Sequence, residues 1–337
     1  MPIHTVLGPI QPADLGPTSM HEHVFADVSV WTKETGEPWV GEIGPEAQWH
    51  LRWNMMSTRE NLILDDADTA VAELEHARAG GGSAIVDLTV IGIGRRVADL
   101  PEISRRSGMT IAVGCGWYVQ ETHPPELKTM SVDEIAEVLI GELREGIDGS
   151  GIKPAMIGEI GTTHPPTEDE WRVVRGAGRA GAETGAAVNV HLSFRGPSGV
   201  EVAEALIDEG MPADRIVLSH MDEQLDRGYH TACAQTGAIL EYDSFGIECF
   251  YGSPAIRTPT DRERLDEVTW LLSEGYASQL VLGCDVWTKA NLRRNGGNGY
   301  EHLFKRVMPA LSSYCGADEA TVRQIMVDSP RRLLDRP

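Results

Sequence analysis

The chain has 337 residues, 41% of them hydrophobic, and its formal net charge is −22. So acidic a surface repels nucleic-acid phosphates and anionic lipids, which argues against nucleic acid and membranes as partners. No run of about 18 apolar residues occurs, and the first residues lack the basic start and apolar core of a secretory signal. The five cysteines are widely spaced, without a C-x-x-C pattern, as is typical of reduced thiols. We therefore expect a cytoplasmic protein.

Short β-branched, apolar runs alternate with longer stretches of helical period. The runs, in chain order, are TSMHEHVF (18–25), SAIVDLTV (83–90), TIAVGCGWY (110–118), AMIGEIG (155–161), AVNVHLS (187–193), RIVLSH (215–220), AILEYDSF (238–245) and QLVLGCD (279–285). Because helical crossovers connect parallel strands, this alternation predicts a parallel sheet. Eight units fit one (β/α)8 TIM barrel, an α/β fold, with residues 1–337 as a single domain. An open doubly wound sheet is the alternative, although no G-x-G-x-x-G follows an early strand.

Three helices between these runs have recognisable ends. They are predicted over residues 131–147, 167–185 and 199–210. The first two begin with Ser or Thr followed three residues later by Glu, which is the pattern of a capping box. The third ends in Gly, a helix-stop signal.

The segment 26–57 departs from this alternation. Among several Gly and Pro residues it contains four tryptophans, namely Trp31, Trp39, Trp49 and Trp53. We interpret it as a long loop after the first strand, close to where a barrel binds its substrate. A packed lid or a contact between subunits is an equal alternative.

Polar side chains gather at the ends of the predicted strands. His21 and His23 are two residues apart and therefore point to the same face of the first strand. An H-x-H pair alone is weak evidence for a metal site. Four further residues end other apolar runs, namely Glu159, His191, His220 and Asp285. The strand ends of a TIM barrel meet at one mouth, and buried carboxylates there need partners. Imidazoles and carboxylates together suit zinc, manganese, iron or cobalt.

Sequence motifs along the chain indicate the protein family. They are TVLGPI, LGPTSMHEHVF, NLILDDADTAVAELEHARAGGGSAIVDLT, IGEIGTT, VNVHLS, IVLSHMD, LVLGCD, KANLRRNGGNGYEHLFKRVMPAL and VDSPRRLL. In this order, and over nearly the whole chain, they resemble the phosphotriesterase-like family of the amidohydrolase superfamily, which includes lactonases. The resemblance implies a short N-terminal β extension, a TIM barrel and a long loop after the first barrel strand.

The resemblance also implies a binuclear metal centre. His21, His23 and Asp285 would hold the first ion, and His191 and His220 the second. In this family the familiar bridging residue is a carboxylated lysine.

Glu159 stands at the bridging point here, as in the family's glutamate-bearing branch. Lys153, the nearest lysine, falls at the start of the strand, away from the mouth. We therefore predict that Glu159 bridges two divalent ions, with zinc as the first choice and manganese, iron or cobalt as alternatives.

The implied activity is hydrolysis by a metal-bridging hydroxide, with Asp285 accepting a proton and passing it to the leaving group. Lactones and carboxylic esters are the predicted substrates, since glutamate-bearing relatives are associated with lactones. The same metal site would serve a phosphotriesterase or an amidase of small N-acyl compounds. A non-catalytic metal-binding barrel is the remote alternative, but it would not need a proton acceptor.

Contacts to the small-molecule substrate are predicted from four residues. Tyr118 follows the third strand, where family members place a side chain against the substrate, and Trp287 beside the barrel aspartate could form a pocket wall. Lys289 and Arg257, in the loops after strands eight and seven, could bind an anionic group. A packed tyrosine and solvated surface charges are the alternatives. By resemblance we also expect a homodimer.

Overall fold

The structure is a computed structural model that describes residues 1–32, 37–251 and 256–336. Residues 33–36 of the tryptophan-rich segment lie outside this range. The strands are β1 (Ile3–Thr5), β2 (Gly8–Ile10), β3 (Thr18–Glu22), β4 (Ala26–Asp27), β5 (Ile63–Leu64), β6 (Ala84–Asp87), β7 (Thr110–Val113), β8 (Ile157–Gly161), β9 (Val188–His191), β10 (Ile216–Leu218), β11 (Ile239–Tyr242) and β12 (Leu280–Leu282). The α-helices are α1 (Gln48–Leu51), α2 (Ala67–Ala79), α3 (Leu100–Ser107), α4 (Val132–Glu145), α5 (Glu168–Thr184), α6 (Gly199–Asp208), α7 (Arg227–Gln235), α8 (Asp261–Ser273), α9 (Met308–Ser313), α10 (Glu319–Arg323) and α11 (Ser329–Leu334).

The predicted TIM barrel is confirmed. Strands β3, β6 and β7 form one parallel sheet, and β8 to β12 form another in sequence order. Backbone hydrogen bonds join the two sheets at both edges. The Ala155 N–H donates to the Val113 carbonyl at 2.9 Å, and the Asp285 N–H donates to the His21 carbonyl at 3.1 Å. The antiparallel β1–β2 hairpin is the predicted N-terminal extension.

Every second residue of the later strands points into the barrel, so its interior is layered. An apolar layer includes Ala187, Val217, Ile239 and Val281, which belong to one buried cluster. Two residues beyond Ala187, Val217 and Ile239 the layer becomes polar, with Asn189, Ser219 and Glu241. Its side chains hydrogen-bond to one another, with Asn189 Nδ2 and Ser219 Oγ both donating to Glu241 Oε2 at 2.6 Å. The next layer, at the barrel mouth, contains the predicted metal ligands.

The three predicted helices are confirmed, and the two capping boxes are present. Ser131 with Glu134 and Thr167 with Glu170 exchange the expected hydrogen bonds at the starts of α4 and α5. The barrel strands are shorter than the predicted runs. Most of them end before the polar end of the run, whereas β8 begins two residues into its run and extends to its last residue, Gly161. Among the residues described, no helix is both long and apolar enough to cross a bilayer.

The tryptophan-rich segment divides between two environments. Trp31 lines the cavity at the barrel mouth. Trp49 and Trp53 are 70% and 53% exposed, and Trp53 stacks on Phe250 with ring centroids 4.4 Å apart. The homodimer stays a prediction.

Candidate metal centre

The six predicted ligands converge at the mouth of the barrel, with Glu159 between two pairs of histidines. Glu159 Oε1 lies 3.4 Å from His23 Nε2 and 3.7 Å from His21 Nε2. Its other oxygen, Oε2, lies 3.1 Å from His191 Nδ1 and 3.7 Å from His220 Nε2. One carboxylate therefore faces both histidine pairs, and this is the geometry that a bridging ligand needs.

Asp285 completes one half of the cluster. Its Oδ1 lies 3.2 Å from His23 Nε2 and 3.8 Å from His21 Nε2. In the other half, His220 Nε2 and His191 Nδ1 are 2.8 Å apart. The two ring nitrogens face each other at hydrogen-bond distance, beside Glu159 Oε2.

The residues fit a divalent cation on two observations. His21 Nε2 is fully buried, faces two carboxylates and has no hydrogen-bond partner, which is rare for a buried polar atom. The ligand atoms of His21, His23 and Asp285 lie within 4.8 Å of one another, as do those of His21, Glu159 and His220. Nitrogen and carboxylate ligands of this kind bind zinc and related metals, so the cluster is able to hold a metal ion.

Backbone geometry at two strand ends turns ligands into the cluster. His220 and Asp285 have φ of +59° and +45°, a left-handed region that non-glycine residues rarely adopt. They follow β10 and β12 by two and three residues, respectively. Such conformations cost about 1–3 kcal/mol each and concentrate at functional sites.

Asp243 supports the cluster, although the sequence analysis did not single it out. Its Oδ2 lies 2.9 Å from His21 Nδ1 and its Oδ1 lies 2.9 Å from His220 Nδ1. Thr89 Oγ1 lies 2.9 Å from His23 Nδ1 in the same way. When Nδ1 donates to such a partner, the Nε2 lone pair is left free to face Glu159.

A usable signal for Asp243 was present in the sequence. The run AILEYDSF ends in a carboxylate, as do the runs that supplied Glu159 and Asp285. Thr89 carried no comparable signal, because a threonine near a strand end is common.

Electrostatics keep the central carboxylate ionised. Burial by itself raises the pKa of Glu159, but His21, His191 and His220 outweigh it and hold that pKa well below its usual range. Burial likewise lowers the pKa of His21, whereas Glu159 and Asp243 raise it well above its ordinary value. The pKa of His220 is raised in the same way, mainly by Asp243 against the effect of burial. The buried carboxylates therefore demand positive charge, which protons or metal ions can supply.

A cavity of about 280 Å³ opens beside the cluster. Its lining includes the predicted ligands His23, Glu159, His191, His220 and Asp285. Its wall is largely apolar and aromatic, and includes Trp31, Tyr118, Leu192, Phe194, Tyr251 and Trp287. Two of the predicted substrate residues, Tyr118 and Trp287, are thus at the cavity.

The other two predicted substrate residues lie elsewhere. Arg257 pairs with Glu263 at 2.6 Å and is not among the residues that line the cavity. Lys289 lies 3.5 Å from Glu60 and lines a separate cavity of about 160 Å³. Both side chains form ion pairs with carboxylates, and neither lines the cavity beside the histidine–carboxylate cluster.

A TIM barrel with this histidine–carboxylate cluster at its mouth defines a metal-dependent hydrolase. The family model of the phosphotriesterase family matches residues 1–334, and the chain belongs to that family. Members of the family use a binuclear metal centre.

Full-length relatives include N-acetyltaurine hydrolases from several vertebrates. That of Tetraodon nigroviridis is 34% identical over 343 residues, covering 98% of this chain and 97% of the relative. That of Homo sapiens is 33% identical over 341 residues, with the same coverage. A phosphotriesterase-related protein of Nematostella vectensis is also 33% identical over 341 residues, again covering 98% and 97%.

Solved structures give the same fold. A resiniferatoxin-binding protein from Rhodobacter sphaeroides has a TM-score of 0.94 and 35% identity, covering 99% of this chain and 95% of its own. A lactonase from Listeria monocytogenes has a TM-score of 0.79 and 26% identity, covering 99% of both chains. These names describe the relatives and leave the substrate of this chain open.

Proposed function

We propose that the protein hydrolyses a carboxylic acyl bond in small molecules, with lactones and carboxylic esters as its first class of substrate. The observation that carries this proposal is Glu159, whose two oxygens face two histidine pairs on the floor of a largely apolar cavity. Asp285 lines the same cavity beside His23.

Two divalent ions, zinc by first choice, would occupy the cluster. His21, His23 and Asp285 would hold one, His191 and His220 the other, and Glu159 would contact both. When bound, such a pair polarises a carbonyl group and lowers the pKa of the attacking water toward neutrality.

Asp285 would move the proton of the reaction. Asp285 lines the cavity, and its Oδ1 lies 3.2 Å from His23 Nε2 at the histidine–carboxylate cluster. The residue therefore adjoins both the predicted ligands and the space where a substrate would bind. The carboxylate takes the proton of the attacking water and delivers it to the leaving group, as a general base and then a general acid.

Tyr118 would orient the substrate oxygen. Burial, followed by the charges of Glu159 and Asp285, raises the pKa of its phenol well above the ordinary value, so the hydroxyl keeps its proton. The hydroxyl oxygen lies 3.3 Å from His191 Nδ1, at the edge of the cluster. A protonated phenol there can donate a hydrogen bond to the carbonyl oxygen, while Trp287 provides an apolar wall.

Amide hydrolysis is a second candidate, and one observation favours it. The full-length relatives at 33–34% identity include proteins named N-acetyltaurine hydrolase. An amide and an ester present the same carbonyl carbon to the same cluster, so the cavity wall must discriminate between them. Phosphotriesters are a further alternative, because two-metal sites also cleave phosphoryl bonds.

A substrate panel tests the proposal. Purified protein loaded with zinc or manganese is followed by pH-stat on lactones and esters, by amine release on N-acyl amides including N-acetyltaurine, and by phenol release on aryl phosphotriesters. We expect a kcat/KM on the order of 10⁴ M⁻¹s⁻¹ or more for one carboxylic class. The Asp285→Asn protein, purified and loaded identically, controls for contaminating hydrolases.

The outcomes separate the candidates. Turnover of lactones or esters alone supports the first class, and turnover of N-acyl amides alone replaces it with the second. Turnover of phosphotriesters alone, by protein with a full metal complement, would overturn the acyl-bond proposal.

A further inference from the structure

The cavity beside the histidine–carboxylate cluster is lined by one positively charged arginine side chain. Among the described residues that line it, Arg195 is the only arginine or lysine. It follows β9, four residues beyond the predicted ligand His191, and its side chain is exposed. Because the chain as a whole has a net charge of −22, Arg195 is a local positive charge on an otherwise acidic protein.

No carboxylate in the described part of the chain neutralises Arg195. This distinguishes it from Arg257 and Lys289, which pair with Glu263 and Glu60. The guanidinium of Arg195 instead lies over the ring of Phe194, 5.2 Å from the ring centroid. Among the described residues none accepts a hydrogen bond from this guanidinium, so its N–H groups are available to a ligand.

The loop after β9, which contains Arg195, makes contacts with the loop after β8. His164 Nδ1 lies 2.7 Å from Ser198 Oγ, which ties the loop to the neighbouring strand end. Gly196 passes so close to the His164 ring that an added Cβ would lie 2.0 Å from its Nε2. The Arg195 N–H also donates to Ser193 Oγ at 3.2 Å. The fold therefore fixes the backbone from which this guanidinium reaches the cavity.

We propose that Arg195 is a specificity-determining residue that binds an anionic group on the substrate, a carboxylate or a sulfonate, away from the acyl bond that is cleaved. The inference rests on the proposed acyl hydrolase function and names its substrate class more closely. A planar guanidinium with a free edge matches the two oxygens of such a group.

The acidic side chains of the cavity restrict where the anion binds. Glu223 accepts a hydrogen bond from the Tyr251 hydroxyl at 2.7 Å, and Glu121 is exposed at the cavity. Both carboxylates repel an anion, whereas Arg195 attracts it. The anionic end of the substrate therefore binds on the Arg195 side of the mouth.

Matched pairs of compounds test this inference. One pair is a five-membered lactone that carries either a carboxylate or a hydroxymethyl group beside the ring oxygen. The other is N-acetyl-β-alanine and its neutral analogue, in which a hydroxymethyl group replaces the carboxylate. Steady-state kinetics and calorimetric binding are measured on the metal-loaded wild type, Arg195→Met and Arg195→Lys. Arg105→Met is the control, since Arg105 is an exposed arginine (61%) on α3, outside the cavity.

We expect Arg195→Met to raise KM for the anionic member of the hydrolysed pair about tenfold, as for the loss of a charge-assisted hydrogen bond. The kinetics on the neutral member should change less than twofold, and Arg195→Lys should restore part of the preference for the anion. Added salt should reduce the difference in KM between the anionic and the neutral member in the wild type, because salt screens the charge of an exposed arginine.

Each outcome bears on a distinct claim. An anionic-to-neutral ratio that is the same in wild type and Arg195→Met, by kinetics and by calorimetry, overturns the inference and leaves the proposed function intact. Absence of turnover for both pairs and for every lactone, ester and N-acyl amide of the wider panel overturns the proposed function. The calorimetric preference for the anion, and its loss in Arg195→Met, still decides the role of Arg195 in that case.

Discussion

Replacing Asp243 with asparagine tests how the ligands of the cluster are held. The two carboxylate oxygens each face an Nδ1 at 2.9 Å, one from His21 and one from His220. Asparagine keeps one acceptor but presents an NH₂ group to the other imidazole. That imidazole must then carry its proton on Nε2 instead of Nδ1, and this proton covers the lone pair that faces Glu159.

The magnitude follows from these contacts. A hydrogen bond to a charged group contributes about 1.5–3 kcal/mol. Asp243→Asn loses one of its two such bonds, which corresponds to roughly 10- to 150-fold weaker metal binding at about 1.4 kcal/mol per tenfold. This range agrees with the decrease of about 10- to 100-fold in metal affinity that is usual when a hydrogen-bond partner of a ligating histidine is replaced.

The assay is a zinc titration of the metal-free protein in competition with a chromophoric chelator. We expect weaker zinc binding by Asp243→Asn and recovery of turnover in excess zinc. The control is Asp261→Asn, since Asp261 Oδ2 lies 2.5 Å from His302 Nε2 in a similar contact outside the metal cluster. That variant should lower Tm without changing the zinc affinity. Unchanged zinc affinity in folded Asp243→Asn, or an equal loss in both variants, would refute the reasoning.

Three further predictions address the cluster and its surroundings. Chelation should lower Tm and zinc should restore it, because His21 Nε2 has no other partner; a thermal scan with an unchanged Tm would contradict this. Asp285→Asn should retain metal by elemental analysis but lose roughly 10²–10⁴-fold in kcat, so near-normal turnover would rule out its proton-transfer role. Arg257→Ala should leave KM unchanged, because Arg257 pairs with Glu263 outside the cavity. Arg257 holds the pKa of Glu263 at about 2, below its ordinary 4.5. This stabilisation is present above pH 4.5 and disappears as the pH falls toward 2, so urea unfolding should show a deficit of at most about 1 kcal/mol near neutrality that closes in acid. A constant deficit, or a raised KM, would count against this assignment.

Local patterns were sufficient for the element types and for several of their ends. The Ser131–Glu134 and Thr167–Glu170 pairs predicted where α4 and α5 begin, because a capping box uses only groups within one turn. The strand ends were less predictable. An apolar run such as RIVLSH continues past the last ladder hydrogen bond, and β10 stops at Leu218 while His220 already has a left-handed conformation.

The clustering of the six predicted ligands was also foreseeable. Parallel strands of a closed barrel bring their carboxyl ends to one mouth, so residues as far apart in sequence as His21 and Asp285 meet once the barrel is assumed. The family resemblance assigned them to two ions. The sequence did not reveal that each oxygen of Glu159 faces a different histidine pair, since this depends on the side-chain conformation.

The sequence by itself thus determined the fold class, the family and the group of residues at the barrel mouth, because strand periodicity and strand order are encoded along the chain. Tertiary structure alone decided which loop charges serve the cavity. Arg257, Lys289 and Arg195 are all basic loop residues, but only Arg195 lines the cavity and lacks a described carboxylate partner. Tertiary structure likewise placed Asp243 behind His21 and His220. The physical reason is that a loop side chain pairs with whichever group packing brings within about 4 Å, and that neighbour comes from a distant part of the chain.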